Sequence, residues 1–279
     1  MSLEVIAAVL FGALLHAFWN TLAKRNAGRA GDAVVVGIMA GLPAALSLPL
    51  TPLPLNAAWV QIIASAIIHV AYFKVLAAAY RGGDLSVAYP LMRGLPPLVV
   101  AFAALSIFDE TLSIAAWCAI LVLIAGVLLL GWDGLRGGAL SASGARFVAM
   151  QIAIIVVYTL VDASGVRAAG NAWSYIAWMF ALTSVGLAPL SLSSLRAIAT
   201  EGSRASAAAL IGGACTLGSY GIALWAMTRA PVALVAALRE TSILIGAILG
   251  VLLLGERFGA RRWVAVLLVA AGVMGMRLA

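Results

Sequence analysis

The sequence predicts an all-α polytopic membrane protein, with ten transmembrane helices arranged as two inverted five-helix repeats around a central cavity. Three observations predict it. Of 279 residues, 65% are hydrophobic and only 10% charged, more apolar surface than a water-soluble globule of this size can hide. The apolar residues fall into ten runs, each near the roughly 20 residues that a bilayer-spanning helix needs. The two halves of the chain can also be laid on each other. The composition excludes a soluble enzyme, a nucleic-acid-binding protein and a disordered chain, and the absence of period-2 alternation argues against a transmembrane barrel. The net charge of +7 comes from basic residues scattered singly at the ends of apolar runs, as membrane-flanking charges are.

Charged, Gly-rich and Pro-rich breaks define the elements in order. The first span, 4–23, follows Met1-Ser2-Leu3-Glu4, which lacks a basic n-region, so the span is expected to be retained and not cleaved. It carries His16, Trp19 and Asn20 on one face, at i, i+3 and i+4. The second, 32–50, contains Gly37-x-x-x-Gly41, a close-packing pattern. The third, 58–80, holds His69, Tyr72 and Tyr80. The fourth, 85–107, aligns Ser86, Tyr89 and Arg93 and places Pro90, Pro96 and Pro97 around Arg93 and Gly94. Each Pro removes an N–H and obstructs the preceding turn, so this helix is expected to bend or open near the membrane centre, as a gating hinge or as a static kink. The fifth span is 113–131, and the connection 132–145 separates a first unit, 1–131, from a second, 146–279.

The second unit repeats the plan. Span 146–166 carries Tyr158 and Asp162, span 172–192 carries Tyr175 and Trp178, and span 205–228 carries Tyr220. Span 231–254 holds Arg239, Glu240 and Gly246-x-x-x-Gly250, and span 261–277 closes the set. Glu110 and Glu256 each stand just before a helix, where a carboxylate is expected to cap the positive helix end. Cys118 and Cys215 lie inside apolar runs and suggest neither disulfide nor metal.

With an offset of 142, Asn20 meets Asp162, Arg25 meets Arg167 and Gly28 meets Gly170. With an offset of 146, Arg93 meets Arg239, Glu110 meets Glu256, Trp117 meets Trp263 and Gly126 meets Gly272. Five crossings are an odd number, so a second five-helix unit enters from the opposite side. The resulting inverted repeat is the architecture with which transporters build alternating access to a midplane site.

Leu253-Leu254-Gly255-Glu256-Arg257, with Trp263 and Ala271-Gly272-Val273 downstream, resembles the EamA-type repeat of the drug/metabolite transporter superfamily. Asp109-Glu110-Thr111-Leu112, with Trp117 and Gly126-Val127, is similar to the same pattern, and His16-Ala17-Phe18-Trp19-Asn20 resembles one branch of the group. The resemblance covers essentially the whole chain. It implies ten helices around a central cavity, no ATPase and no covalent chemistry, with aromatic and other amino-acid exporters as the nearest analogues. It also implies both termini in the cytoplasm. Counting basic residues gives the reverse orientation: eleven flank one set of connections, whereas only Arg167, Arg229 and Arg277 flank the other. The count is preferred as a property of this chain.

Intramembrane charges cost roughly 2.5–3.5 kcal/mol each on insertion scales and need a reason. Arg93 and Arg239 lie about 12 Å into their helices, and a guanidinium fork suits the carboxylate of an amino acid or other organic anion. The structural reading is that Arg239 pairs with neighbouring Glu240, or that either Arg caps freed carbonyls. The polar-aromatic faces of His16, Trp19, Asn20, His69, Tyr72, Tyr80, Tyr89, Tyr158, Asp162, Tyr175, Trp178 and Tyr220 are expected to line the cavity, against the bland reading of an interfacial belt. Asp162, Glu240, His16 and His69 are the candidate proton carriers.

The leading expectation is a bacterial inner-membrane exporter of small metabolites, amino acids first, working by alternating access without cofactor or metal. A multidrug exporter led by Glu240 or Asp162 is the alternative, and a membrane-embedded enzyme, lacking any paired catalytic constellation, the remote one. The expected partners are a small-molecule substrate and the lipid bilayer. Nucleic acid is not expected, and no obligatory protein partner is evident, which is compatible with a monomer.

Overall fold

The structure, a computed structural model, describes residues 1–25, 33–82, 92–130, 132, 142–192, 195–196, 200, 202–254 and 259–278. Among the described residues there is no strand. The first half forms α1 (Leu3–Arg25), α2 (Ala33–Ser47), α3 (Trp59–Gly82), α4 (Pro96–Ile107) and α5 (Ile114–Leu130). The second forms α6 (Ala142–Ala168), α7 (Ala172–Leu187), α8 (Ser203–Met227), α9 (Val232–Arg239), α10 (Thr241–Leu254) and α11 (Ala260–Leu278). Six helical stretches are long and apolar enough to cross a membrane: Leu3–Asn20, Ala33–Leu50, Asn56–Leu76, Gly144–Ala168, Ala172–Leu190 and Ser203–Met227. Met92–Ile107, Ile114–Leu129 and Trp263–Leu278 are shorter apolar helices.

Burial is inverted relative to a soluble protein. Leu50, Val60, Ile67, Phe102 and Leu267 point outward, while Asp162, Glu240, Arg93 and Gln151 are buried. Only a surrounding that is itself apolar makes that arrangement favourable. The chain is therefore built for lipid outside and polar chemistry inside.

Two elements differ from the sequence expectation in an informative way. Helix α6 begins at Ala142, so the last residues of the expected 132–145 connection are already helical. The ninth expected span is broken at Glu240, although its proline, Pro231, stands at the start of the span and not at the break. There the Glu240 N–H turns to Ala237 O at 3.0 Å, and the Thr241 hydroxyl donates to Leu238 O at 2.8 Å. A tightened last turn and a hydroxyl thus satisfy carbonyls that the interruption frees.

In the fourth expected span the bend falls at Leu95, after helical residues 92–94. Pro96 and Pro97 take the first positions of α4, where no N–H is required. They restart a helix and do not kink one from within. Both interruptions come one or two residues after an arginine, Arg93 or Arg239. Pro90 and Glu256 lie outside the described residues.

The main helix contacts survive exchange of the two halves. Contact α1–α8 has the counterpart α3–α6, α2–α8 has α3–α7, and α1 with α9 and α10 has α4–α6, while α2–α7, α4–α9 and α5–α11 map onto themselves. The α5–α11 contact is reciprocal at the residue level. A Cβ on Gly126 would meet Val269 Cγ2 at 2.9 Å and Ala265 O at 3.0 Å, and one on Gly272 would meet Leu123 Cβ at 2.7 Å and Ala119 O at 2.9 Å. Gly126→Ala and Gly272→Ala should each destabilise the protein, by up to about 1–3 kcal/mol for overpacking, less the better helix propensity of Ala. Because one interface is wedged apart in both, the double variant should cost less than the sum. Thermal unfolding in detergent reads all three.

Gly37 and Gly41 likewise serve packing within the chain. Gly37 lies against Phe73 and Leu187, and Gly41 against Ser184 and Phe180 O. Glu110 corrects the expectation of a cap on its own helix. Ser113 caps α5 through the Ala116 N–H, whereas both Glu110 carboxylate oxygens accept the Val232 N–H, at 3.0 and 2.9 Å, at the start of α9. The Arg167 Nη2 donates to Glu110 Oε1 at 2.7 Å, and its Nε donates to Met227 O at 2.9 Å. One carboxylate therefore joins three connections.

Candidate functional site

Helix α1 presents His16, Trp19 and Asn20 on a single face. The Asn20 amide donates to His16 O at 2.8 Å, and the His16 and Trp19 rings meet edge to face at 5.7 Å. Facing them are Tyr72 and Leu76 of α3, Met92 and Arg93 at the interrupted helix, and Gln151 and Ile155 of α6. These nine residues line a small, partly open cavity.

Behind Tyr72 lies a second, fully packed cluster. The Tyr72 ring meets Tyr158 edge-on at 5.6 Å, and Tyr158 meets Tyr220 at 5.7 Å. His69 lies 4.6 Å from Tyr158 and 5.6 Å from Tyr220, its Nδ1 within 3.1 Å of the Ser65 hydroxyl. Asp162 is wholly buried and accepts the hydroxyls of Tyr175, at 2.8 Å, and Tyr220, at 2.5 Å. Two phenol donors replace the water that a buried carboxylate has lost. The Arg239 guanidinium sits 4.8 Å over the Tyr220 ring, a cation–π contact with the same phenol that holds Asp162.

The expected Arg239–Glu240 pair is not what forms. Glu240 turns instead to Arg93, with Nε and Oε2 at 3.1 Å and both side chains buried. Helix geometry explains it. Adjacent residues on a helix diverge by about 100°, and the break after Arg239 lets Glu240 point across to the interruption that carries Arg93. Among the described residues Arg239 forms no ion pair.

The structure thus gathers His16, Trp19, Asn20, Tyr72 and Arg93 around the cavity, with His69, Tyr158, Asp162, Tyr175, Tyr220, Arg239 and Glu240 in the layer behind it. Trp178 goes elsewhere: it packs edge-on to Trp59 at 5.0 Å, near the start of α3, and corrects its placement in a side-chain pocket. The Tyr80 side chain and Tyr89 lie outside the described residues. Gln151 and Met92 escaped the sequence reading. For Gln151 a signal existed, because it stands seven and eleven residues before Tyr158 and Asp162 and so shares their face of α6. Among the described residues, no group of three His, Cys, Asp or Glu side chains could hold a metal.

Residues 143–278 match the model of the EamA-like transporter family. No curated protein sequence matches the chain. Among solved structures, one described only as a crystal structure of a protein covers 98% of this chain and 98% of its own, with a TM-score of 0.71 at 18% identity, a likeness of fold. The cavity beside the interruption that follows Arg93, the lipid-facing exterior and this match lead to one statement: the chain is a multi-pass membrane protein whose residues 143–278 match the EamA-like transporter family.

Proposed function

We propose that the protein exports amino acids across a bacterial inner membrane, by alternating access between two inverted five-helix repeats spanning ten transmembrane segments. The observation that carries the reading is the cavity itself: aromatic and polar walls, Arg93 among them, beside the helix interruption at Leu95. The substrate carboxylate is drawn by Arg93 and Arg239, and Tyr72 and the ring face of Trp19, as distinct from its N–H edge, hold the side chain. The interruptions at Leu95 and Glu240 supply the bending that exposes the cavity to either side, with Pro96 and Pro97 making the first stiffer than the second. The protein works as a monomer in the bilayer, without cofactor and without nucleic acid, with its basic face in the cytoplasm.

A multidrug exporter of cations would need a carboxylate open to the cavity. Asp162 is engaged by two phenols and Glu240 by Arg93, which favours an anionic substrate head. Counterflow in proteoliposomes with labelled amino acids tests the reading. Arg239→Ala, which breaks no ion pair among the described residues, should fold normally and lower exchange roughly 10- to 100-fold, the value of hydrogen bonds to a charged group. Wild-type protein exchanging no amino acid would remove the substrate class, and undiminished exchange by Arg239→Ala would remove this residue from the site.

A further inference from the structure

Gln151 is the least satisfied side chain in the cavity wall. It is 0% exposed, lines the cavity from α6, and neither its Oε1 nor its Nε2 has a hydrogen-bond partner. Trp19, on α1 in the same wall, has a buried Nε1 that is also unpartnered. Buried amides are nearly always paired, because stripping water from them without replacement is unfavourable. Gln151 stands in the wall of the cavity, so the partner proposed for it is a group that enters there as the wall opens.

We propose that Gln151 and the Trp19 indole form the hydrogen-bonding subsite that reads the head of the transported molecule, with the Gln151 Nε2 and Trp19 Nε1 donating to a carboxylate and Gln151 Oε1 accepting from the adjacent ammonium. The inference deepens the amino-acid reading and rests on it. Two donors and one acceptor match an α-amino acid zwitterion. A 2-hydroxy acid offers Oε1 only a neutral hydroxyl in place of the ammonium, and an amine without a carboxylate leaves both donors unused. Gln151 is therefore a specificity-determining residue, separate from the charge supplied by Arg93 and Arg239.

The inference has a consequence for the empty protein that a structural glutamine does not share. Unpaired polar atoms held ready for a ligand weaken the resting state, and removing them strengthens it. In full-length protein in detergent, Gln151→Leu should melt higher than wild type, by roughly 2–4 °C, and Gln151→Met, which keeps the side-chain length, should do the same. Both should bind L-phenylalanine roughly 10- to 100-fold more weakly and lose the wild-type preference for it over 3-phenyllactate. Trp19→Phe should weaken both ligands alike, since only the carboxylate donor is lost. A lower melting temperature in both Gln151 variants, or an unchanged preference, overturns the proposal. Wild-type protein that exchanges no amino acid fells the functional reading and this inference together. Exchange by wild type with unaltered discrimination in the variants fells the inference alone.

Discussion

Glu240→Ala should cost about 3–5 kcal/mol of stability, the range found when one partner of a buried ion pair is removed. Arg93 and Glu240 are 6% and 5% exposed, and the Nε–Oε2 separation of 3.1 Å is the described ion pair between the two helix interruptions. The variant takes the Glu240 carboxylate from the buried Arg93 guanidinium, a charge that cannot neutralise itself because Arg does not release its proton. The pair Arg93→Met with Glu240→Met should recover most of the loss, since apolar residues of similar volume often replace buried ion pairs at little cost. Thermal unfolding in detergent distinguishes the outcomes. If Glu240→Ala lies within about 0.5 kcal/mol of wild type, as an exposed substitution would, the pair does not hold the interruptions together.

That pair also shows where sequence reasoning stops. Composition and span length reveal an α-helical membrane protein because they are sums over residues and need no partner information. The likeness of Arg93 to Arg239 is equally legible, being a matter of offset along the chain. Which carboxylate answers which arginine is not, because it depends on where a helix breaks: an unbroken ninth helix would carry Glu240 away from Arg93. Trp178 illustrates the same limit. Its depth in the seventh span suggested the cavity, but the rotation of α7 about its axis turns it toward Trp59. The sequence places Glu110 before its own helix, yet the helix end it caps belongs to α9, some 120 residues away in the chain. Gln151 is not legible as a site residue, because a lone amide in an apolar run resembles a tolerated polar residue and its significance lies in partners it lacks.

Gly213→Ala should be among the most damaging single-methyl additions in the protein, while Gly212→Ala, one residue earlier, should be neutral or slightly stabilising. A Cβ on Gly213 would lie 2.4 Å from Met39 C and 2.5 Å from Ala40 N, both backbone atoms of α2. Carbon atoms settle at about 3.5–4.0 Å, so α2 and α8 would have to part by roughly 1 Å, with no flexible side chain to yield instead. The displacement cannot stay local, because α2 is held on its other side by Gly41 against Ser184 and Phe180 O. The cost belongs at or above the upper end of the roughly 1–3 kcal/mol of ordinary overpacking. A Cβ on Gly212 would meet Val36 Cγ2 at 3.4 Å, an ordinary contact, and there the gain in helix propensity of about 1 kcal/mol is free to appear. If the adjacent glycines served α8 as a flexible joint, the two substitutions would stiffen it alike and alter transport equally. Opposite signs in thermal unfolding would instead fix the role of Gly213 as the point where two helix backbones touch, which the sequence pair Gly212-Gly213 cannot reveal without the rotation of α8.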